Sequence, residues 1–327
     1  MQFFPYLAAA GWQVDHRPIR PSLYRKLRFG HSVLRHWEMR SIAALRRASL
    51  FGDFIRAGEY DAVIVGRELP HLVSFLARRN PRLIFDFDDA IHLGSSRAAI
   101  MQLIHCAKAV VVGNELLAEA AARWTGRLHV IPTVVDPDRY AMQMASDGAA
   151  GALRVGWLGS DYSIRETLFP FLSMLAELQD KLGFELVIVS RPRPILPDIP
   201  LRWRFVEWSP EVERGIAGIF DVGIMPLVDT PVQRAKCGTK LLQYMAAGLP
   251  VIASPVGVNC RIVDPGVNGF LAASRDDWHR ALASLAADGD LRQRFGSAGR
   301  ARVEADYSIG RWLPSWLALL DSVAGVR

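Results

Sequence analysis

Two short stretches hold residue types at spacings from which chemistry could be built. The first runs RAKCGTKLLQYMAAGLPVIASPVGVN, from Arg234 to Asn259, and contains no acidic residue. Lys236 and Lys240 flank a Gly238–Thr239 turn. Leu241, Leu242, Met245 and Leu249 recur at helical spacing, so a helix is predicted to start near Thr239. Gly248 is placed to end it, and Pro250 prevents its continuation. Thr239, Lys240 and Gln243 then share one polar edge. A helix start offers unpaired N–H groups and a positive dipole end, and a glycine lets an anion approach the backbone. With two lysines added, a diphosphate is the guest that suits such a site. An ordinary capped helix with solvated lysines has the same spacing. Binding is favoured because the stretch follows the apolar run DVGIMPL, at the carboxyl edge of a sheet.

The second stretch is LIFDFDDAIHL, where Asp86, Asp88 and Asp89 follow an apolar run. On an extended chain Asp86 and Asp88 share a face and Asp89 turns away. Carboxylates this close raise one another's pKa unless a positive group offsets them. Three roles compete for them. One is a contact to a substrate hydroxyl in an interdomain cleft. Another is a cap and turn for the next helix. The third is the nucleophile of a phosphoaspartate hydrolase of the haloacid-dehalogenase type, although that motif wants Thr or Val where Ala90 stands. In GWLGSDYS, Gly159 and Ser160 suit backbone N–H contact with phosphate, or form a plain strand-to-helix turn. Arg165 is the nearest arginine after that turn. In VEWSPEVE, Pro210 after Ser209 marks a helix start. Trp208 ahead of it could stack on a base or be a buried edge tryptophan.

The elements that must position these residues can be read from the apolar runs. YDAVIVG, RLIFDFD, KAVVVG and LHVIPT lie in the first half, and ALRVGWLGS, FELVIVS, LRWRFVEW, DVGIMPL and LPVIASP in the second. Near-continuous apolar runs between turns are strands buried on both faces of a parallel sheet. Their alternation with helical segments predicts an α/β fold. The small, polar stretch QMASDGAAGA, from Gln143 to Ala152, is the expected linker between two doubly wound domains. MQFFPYLAAAG reads as a helix ending at Gly11, and WQVDHRPI as the strand after it. The strand and loop that normally open such a domain are not read ahead of that helix; either the start codon is placed too late, which is the favoured expectation, or the domain lacks an element that usually forms one wall of its cleft. SIGRWLPSWLALLDSVAG is an amphipathic helix with Trp312, Leu313, Trp316, Leu317, Leu320 and Val323 on or near one face. It is expected to dock back across the first domain.

Composition bounds the class. A chain of 327 residues suits two domains, and half of it is apolar, enough for a well-buried core. The net charge of +6 is unevenly spread. From His16 to Arg56 there are ten Lys or Arg against Glu38 and Asp53, which is +8 over 41 residues. Leucines and aromatics are interleaved among them, as in a basic segment lying on anionic lipid or in a solvated arginine-rich surface. No nucleic-acid-binding motif accompanies the charge, so no nucleic-acid partner is expected. Cys106, Cys237 and Cys260 lack CxxC spacing, which argues against a disulfide framework or a zinc site and fits a reducing compartment. No apolar run approaches the roughly 18 residues of a membrane span. The first residues lack the pattern of a signal peptide, so none is expected.

KCGTKLLQYMAAGLPVIASPVGVNCRIVDPGVNGFLA resembles the donor-binding signature of glycosyltransferase family 4. The resemblance extends over RVGWLGS, DVGIMPL and the terminal helix. In the first half, LIFDFDDAI and LHVIPTVVD resemble segments of a bacterial branch of that family. The resemblance implies the GT-B architecture, two Rossmann-like domains facing a cleft. These would be an acceptor-side domain over 1–147, a nucleotide-sugar domain over 148–306 and a crossover helix over 307–327. It implies transfer of a sugar from a nucleotide diphosphate sugar with retained anomeric configuration. Neither a metal nor a cofactor is implied, because a helix dipole and basic side chains carry the leaving-group charge.

Carried over residue by residue, the family's two glutamates fall on Ala235 and Gln243. Gln243 would then hold the ribose. Gly159, Ser160, Lys236, Gly238, Thr239 and Lys240 would surround the diphosphate, with Arg165 in place of a family arginine and Trp208 near the base. Asp89 would sit near the reacting hydroxyl, with Lys240 as the catalytic charge. The implied acceptor is a lipid-linked or polysaccharide glycan of cell-surface synthesis. The expected location is the cytoplasm or the inner face of a bacterial membrane, met through residues 16–56. Two other classes fit the same residues: a non-catalytic GT-B module that binds a nucleotide sugar for a biosynthetic complex, and a GT-B epimerase acting on the same donor.

Overall fold

The computed structural model describes residues 2–17, 52–66, 73–94, 97–142 and 152–325. Most of the basic segment 16–56 and the linker residues 143–151 lie outside the described residues. Within them the apolar runs form two wholly parallel sheets. The first contains β1 (Val63–Gly66), β2 (Leu83–Phe87), β3 (Ala109–Val112) and β4 (Leu128–Val130), paired in chain order. The second contains β5 (Arg154–Leu158), β6 (Glu185–Ser190), β7 (Trp203–Glu207), β8 (Val222–Met225), β9 (Val251–Ala253) and β10 (Gly269–Leu271). Its order is β10-β9-β8-β5-β6-β7. Every residue of β3, β8 and β9 is buried, which is why these strands read as unbroken apolar runs rather than alternating ones.

The strand order of the second sheet reverses between β5 and β8. The chain moves outward through β6 and β7, then returns to the other side of β5. Loops that leave β5 and β8 in opposite directions open a crevice at the carboxyl ends, the usual ligand position in such sheets.

WQVDHRPI does not form the expected strand: Trp12 to Arg17 pair with no strand among the described residues. Trp12 and Val14 rest on the apolar layer. Asp15 is drawn outward, accepting hydrogen bonds from Tyr60 Oη at 2.6 Å and Arg17 Nη2 at 2.7 Å. The helix Phe4–Ala9 buries Leu7 in the same layer.

The terminal helix Ile309–Ala324 does cross back. Ser308 caps it by accepting from the Arg311 N–H at 3.2 Å. Trp316, Leu319, Leu320 and Val323 are buried against Ile84, Val111 and Ile131 of the first domain. Each large apolar side chain buried this way contributes about 1.5–3 kcal/mol, so the helix is a firm tie between domains. No helix among the described residues is long and apolar enough to cross a membrane.

Candidate functional site

The stretch rich in lysine forms the helix Thr239–Ala246. Leu241, Leu242, Tyr244, Met245 and Ala246 are buried, and Thr239, Lys240 and Gln243 remain on the cleft side. The helix is pinned to the sheet where Leu158 donates its N–H to Tyr244 Oη at 2.8 Å. Gly238 caps its start with φ +71, a left-handed conformation, and a β-carbon there would lie 2.3 Å from Ile262 Cδ1. The glycine is therefore required by the turn and by Ile262, not by an approaching ligand, and it lies behind the cavity wall. Among the described residues no side chain caps the first turn. The first N–H groups of this helix are left to solvent or to a ligand. At the other end Gly248 has φ +70 and stops the helix, as its position before Pro250 predicts.

A cavity of about 350 Å³ opens beside this turn. Leu158 at the end of β5 lines it with Gly159, Ser160 and Ser163 after that strand, Arg191 after β6, Trp208 and Glu213 after β7, and Thr239, Lys240 and Gln243 after β8. Each contributor ends or follows a strand on the carboxyl side, so the sheet itself assembles the site. Lys240 is half-buried, with Nζ 5.1 Å from the centre of the Trp157 ring. Burial, and then the charge of Lys236, push the Lys240 ammonium down to about 8, against an opposing pull from Asp89. Burial depresses an ammonium because it disfavours the charged form. Thr239, Lys240 and the bare helix end thus give one side of the cavity a positive character.

The other side is acidic. Glu213 Oε1 accepts from Gln243 Nε2 at 2.8 Å and from Tyr140 Oη at 3.0 Å, and Oε2 accepts from Trp208 Nε1 at 2.8 Å. Burial, and then the Glu213 charge, raise the Tyr140 phenol well above its ordinary value. The cleft helix itself carries no carboxylate, yet the cavity contains one, brought by the helix Pro210–Arg214.

Several expected site residues do not reach the cavity as expected. Arg165 is exposed, with its guanidinium 5.9 Å from the Phe169 ring centre. In the helix Asp161–Thr167, Ser163 faces the cavity, and two residues further on is about 200° round the axis. Lys236 lies close enough to depress Lys240 but does not line the cavity. Gly159 and Ser160 do line it, but their N–H groups are engaged: Gly159 donates to the Val189 carbonyl at 3.0 Å and Ser160 to Ser163 Oγ at 3.1 Å. A capping box takes the donors that a phosphate would need. Arg191, Ser163 and Glu213 line the cavity, and motif reading missed them. Arg191 directly follows β6, and Glu213 sits on the helix after β7. The strand-edge rule, applied to every strand, would have pointed to both.

The first domain meets the second along a seam beside the cavity. Burial, and then the Asp88 charge, push Asp86 up to about 7. The Asp89 charge is felt by Lys240 and Tyr162 of the second domain. Asp89 also accepts from the Ala90 N–H at 3.2 Å, so it serves the local turn as well. The loop ahead of the cleft helix runs into the first domain, where Ala235 and Cys237 join its buried cluster. Asn114 Nδ2 donates to the Ala235 carbonyl at 3.0 Å and to Cys237 Sγ at 3.2 Å. Arg261 and Glu115 pair across the same boundary. Ala235, where the resemblance places a carboxylate, is thus used as packing.

Residues 152–288 match the family described as Glycosyl transferases group 1. Among solved structures the chain is similar to a glycosyltransferase from Rickettsia africae ESF-5, at 13% identity and a TM-score of 0.63, over 86% of this chain and 81% of that one. It is similar to sucrose-phosphate synthase from Thermosynechococcus elongatus at 17% identity and a TM-score of 0.61, over 86% and 76%. It is also similar to Anabaena Alr3699/HepE in complex with UDP and glucose, at 17% identity and a TM-score of 0.62, over 83% and 80%. No curated protein matches the chain in sequence. At these identities the likeness shows the fold, two parallel-sheet α/β domains in the GT-B arrangement. With the family match, it supports the GT-B glycosyltransferase superfamily.

Proposed function

We propose that this chain is a retaining glycosyltransferase that moves a sugar from a nucleotide diphosphate sugar to a lipid-linked or polysaccharide acceptor in cell-surface glycan synthesis. One observation carries the reading: the uncapped start of the helix Thr239–Ala246, with Lys240 beside it, faces a cavity at the switch point of the sheet. An anion fits there because, among the described residues, no side chain caps the helix start, and the Lys240 ammonium rests over the Trp157 ring rather than in an ion pair. The Anabaena structure, which holds UDP and glucose, supports this donor class by analogy of fold.

In the proposed reaction the bond from the anomeric carbon to the diphosphate breaks, and charge collects on the leaving phosphate. The N–H groups at Thr239 and Lys240, the Lys240 ammonium and the Arg191 guanidinium meet that charge. Preorganised donors of this kind are worth about 10²–10³ in rate each. Asp89, from the first domain, orients the acceptor hydroxyl, which attacks from the face the diphosphate leaves and gives its proton to the departing phosphate oxygen. Trp208 lies toward the base. No metal or cofactor enters the proposed chemistry. The acceptor side is assigned to residues 1–147, the donor side to 148–306 and the tie to 307–327. The basic segment 16–56 would hold the protein against the inner face of a bacterial membrane.

Calorimetric titration with nucleotide sugars of different base and sugar tests the donor site, and release of nucleoside diphosphate with lipid extract tests transfer. The burial of Ala235 favours a second reading, a GT-B module that binds its donor without turnover. Binding with no release under any acceptor condition would point to it. Release of free sugar or epimer without acceptor would point to an epimerase.

A further inference from the structure

We propose that Glu213 is the residue that receives the ribose hydroxyls of the donor, in place of the carboxylate absent from the cleft helix. This rests on the reading of the cavity as a nucleotide diphosphate sugar site. An ionised carboxylate offers about four acceptor positions and no donor. Two on Oε1 are taken by Gln243 and Tyr140, and one on Oε2 by Trp208. One position on Oε2 is left, in a residue that lines the cavity.

Gln243 supplies a second acceptor. Its Nε2 donates to Glu213, so its own Oε1 is left to accept. Glu213 and Gln243 are joined by a hydrogen bond and both line the cavity, and their two remaining acceptors suit a pair of neighbouring hydroxyls better than any anion. The position along the helix agrees. Gln243 lies four residues beyond Thr239, which is about 6 Å of helix rise. A ligand that is anionic at the helix start and carries a diol one sugar further on spans that interval. A nucleoside diphosphate has this pattern of charge and hydroxyls.

Tyr140 and Trp208 are positioning residues in this scheme. They fix the carboxylate through its other lone pairs, and neither needs to touch the diol. If Glu213 were only a satisfied structural carboxylate, its replacement would weaken all ligands alike or destabilise the fold. A diol receptor predicts loss of one discrimination and retention of the phosphate contribution.

The test is calorimetric titration of the full chain and of its Glu213→Gln and Glu213→Asp variants with UDP and GDP, their 2′-deoxy and 3′-deoxy forms, and inorganic pyrophosphate. The wild-type protein should bind the ribonucleotide about 10- to 100-fold more tightly than a deoxy form, the usual worth of a hydrogen bond to a charged group. Glu213→Gln should bind the two forms within about twofold while pyrophosphate affinity is unchanged. Cooperative melting checks that each variant is folded; if Glu213→Gln is not, the shortened Glu213→Asp carries the same comparison. Variants that keep the wild-type ratio would overturn the Glu213 assignment alone. A wild-type protein that binds no nucleoside diphosphate would overturn the donor reading and Glu213 with it.

Discussion

The Cys237 thiol donates to the Asp88 carbonyl oxygen at 3.1 Å, joining the loop before the cleft helix to the end of β2. A β-carbon on Gly113, the residue after β3, would lie 2.4 Å from that sulfur. The two domains therefore meet through a fitted contact next to the cleft, and the helix start is held at a fixed distance from Asp89. Burial, and then the Asp88 charge, push the thiol up to about 12.

Thiol labelling reads this seam directly. Cys260 is exposed and Cys237 is buried. A maleimide at pH 7.5 should modify Cys260 at an ordinary rate and Cys237 at least about 100-fold more slowly, since only the thiolate reacts. Both should react alike in denaturant. Equal rates in the native protein would mean that the seam is open in solution.

Lys240 gives a pH dependence. Its ammonium is protonated below about 8 and neutral above it. Affinity for pyrophosphate or a nucleoside diphosphate should therefore fall as pH rises through about 8, by up to tenfold per pH unit. Lys240→Arg should bind with no such break up to about pH 10, because guanidinium stays charged. A wild-type affinity that is flat from pH 7 to 9.5 would show that this ammonium does not meet the anion.

Asp86 gives a stability slope. Its folded-state pKa, raised to about 7, lies above the ordinary carboxylate value, so the native state binds the extra proton between the two. Stability should fall as pH rises through that window. Asp86→Asn removes the slope. After allowance for solvent screening of a half-buried group, it should gain about 1 kcal/mol at pH 8, or about 2–4 °C in Tm. An unchanged or lower Tm at pH 8 would place Asp86 in a more solvated setting than its burial indicates.

Features carried by apolar patterning were readable, and the polar contacts between distant segments were not. The helix at Thr239, its buried face and its stop at Gly248 follow from apolar spacing and one glycine. The alternation of apolar runs gave the α/β class, and the apolar stripe of Trp316, Leu320 and Val323 gave the returning helix. Glu213 stayed hidden because its partners, Tyr140, Trp208 and Gln243, come from three separate parts of the chain. The Gly159 N–H looked free because its acceptor, Val189, belongs to a strand 30 residues away in sequence. Arg165 failed on helical phase: an approximate position in sequence does not set which way a side chain points.

The basic segment has its own test. Replacing Arg17, Arg20, Arg25, Lys26 and Arg28 with Gln should abolish pelleting with vesicles rich in anionic lipid and leave nucleotide binding intact. Juxtamembrane basic residues are worth about 1 kcal/mol each on such surfaces, so five changes are ample. Unchanged pelleting would remove the membrane from the proposed function.

Acceptor-dependent release of nucleoside diphosphate, from a panel of nucleotide sugars with bacterial lipid extract, bears most directly on the glycosyltransferase reading. The wild-type chain should release diphosphate from at least one donor only when acceptor is present. Lys240→Ala, folded by its melting curve, should be slower by about 10²–10³. No release from any donor, or release that does not depend on acceptor, would contradict that reading; equal release by Lys240→Ala would contradict the role given to Lys240.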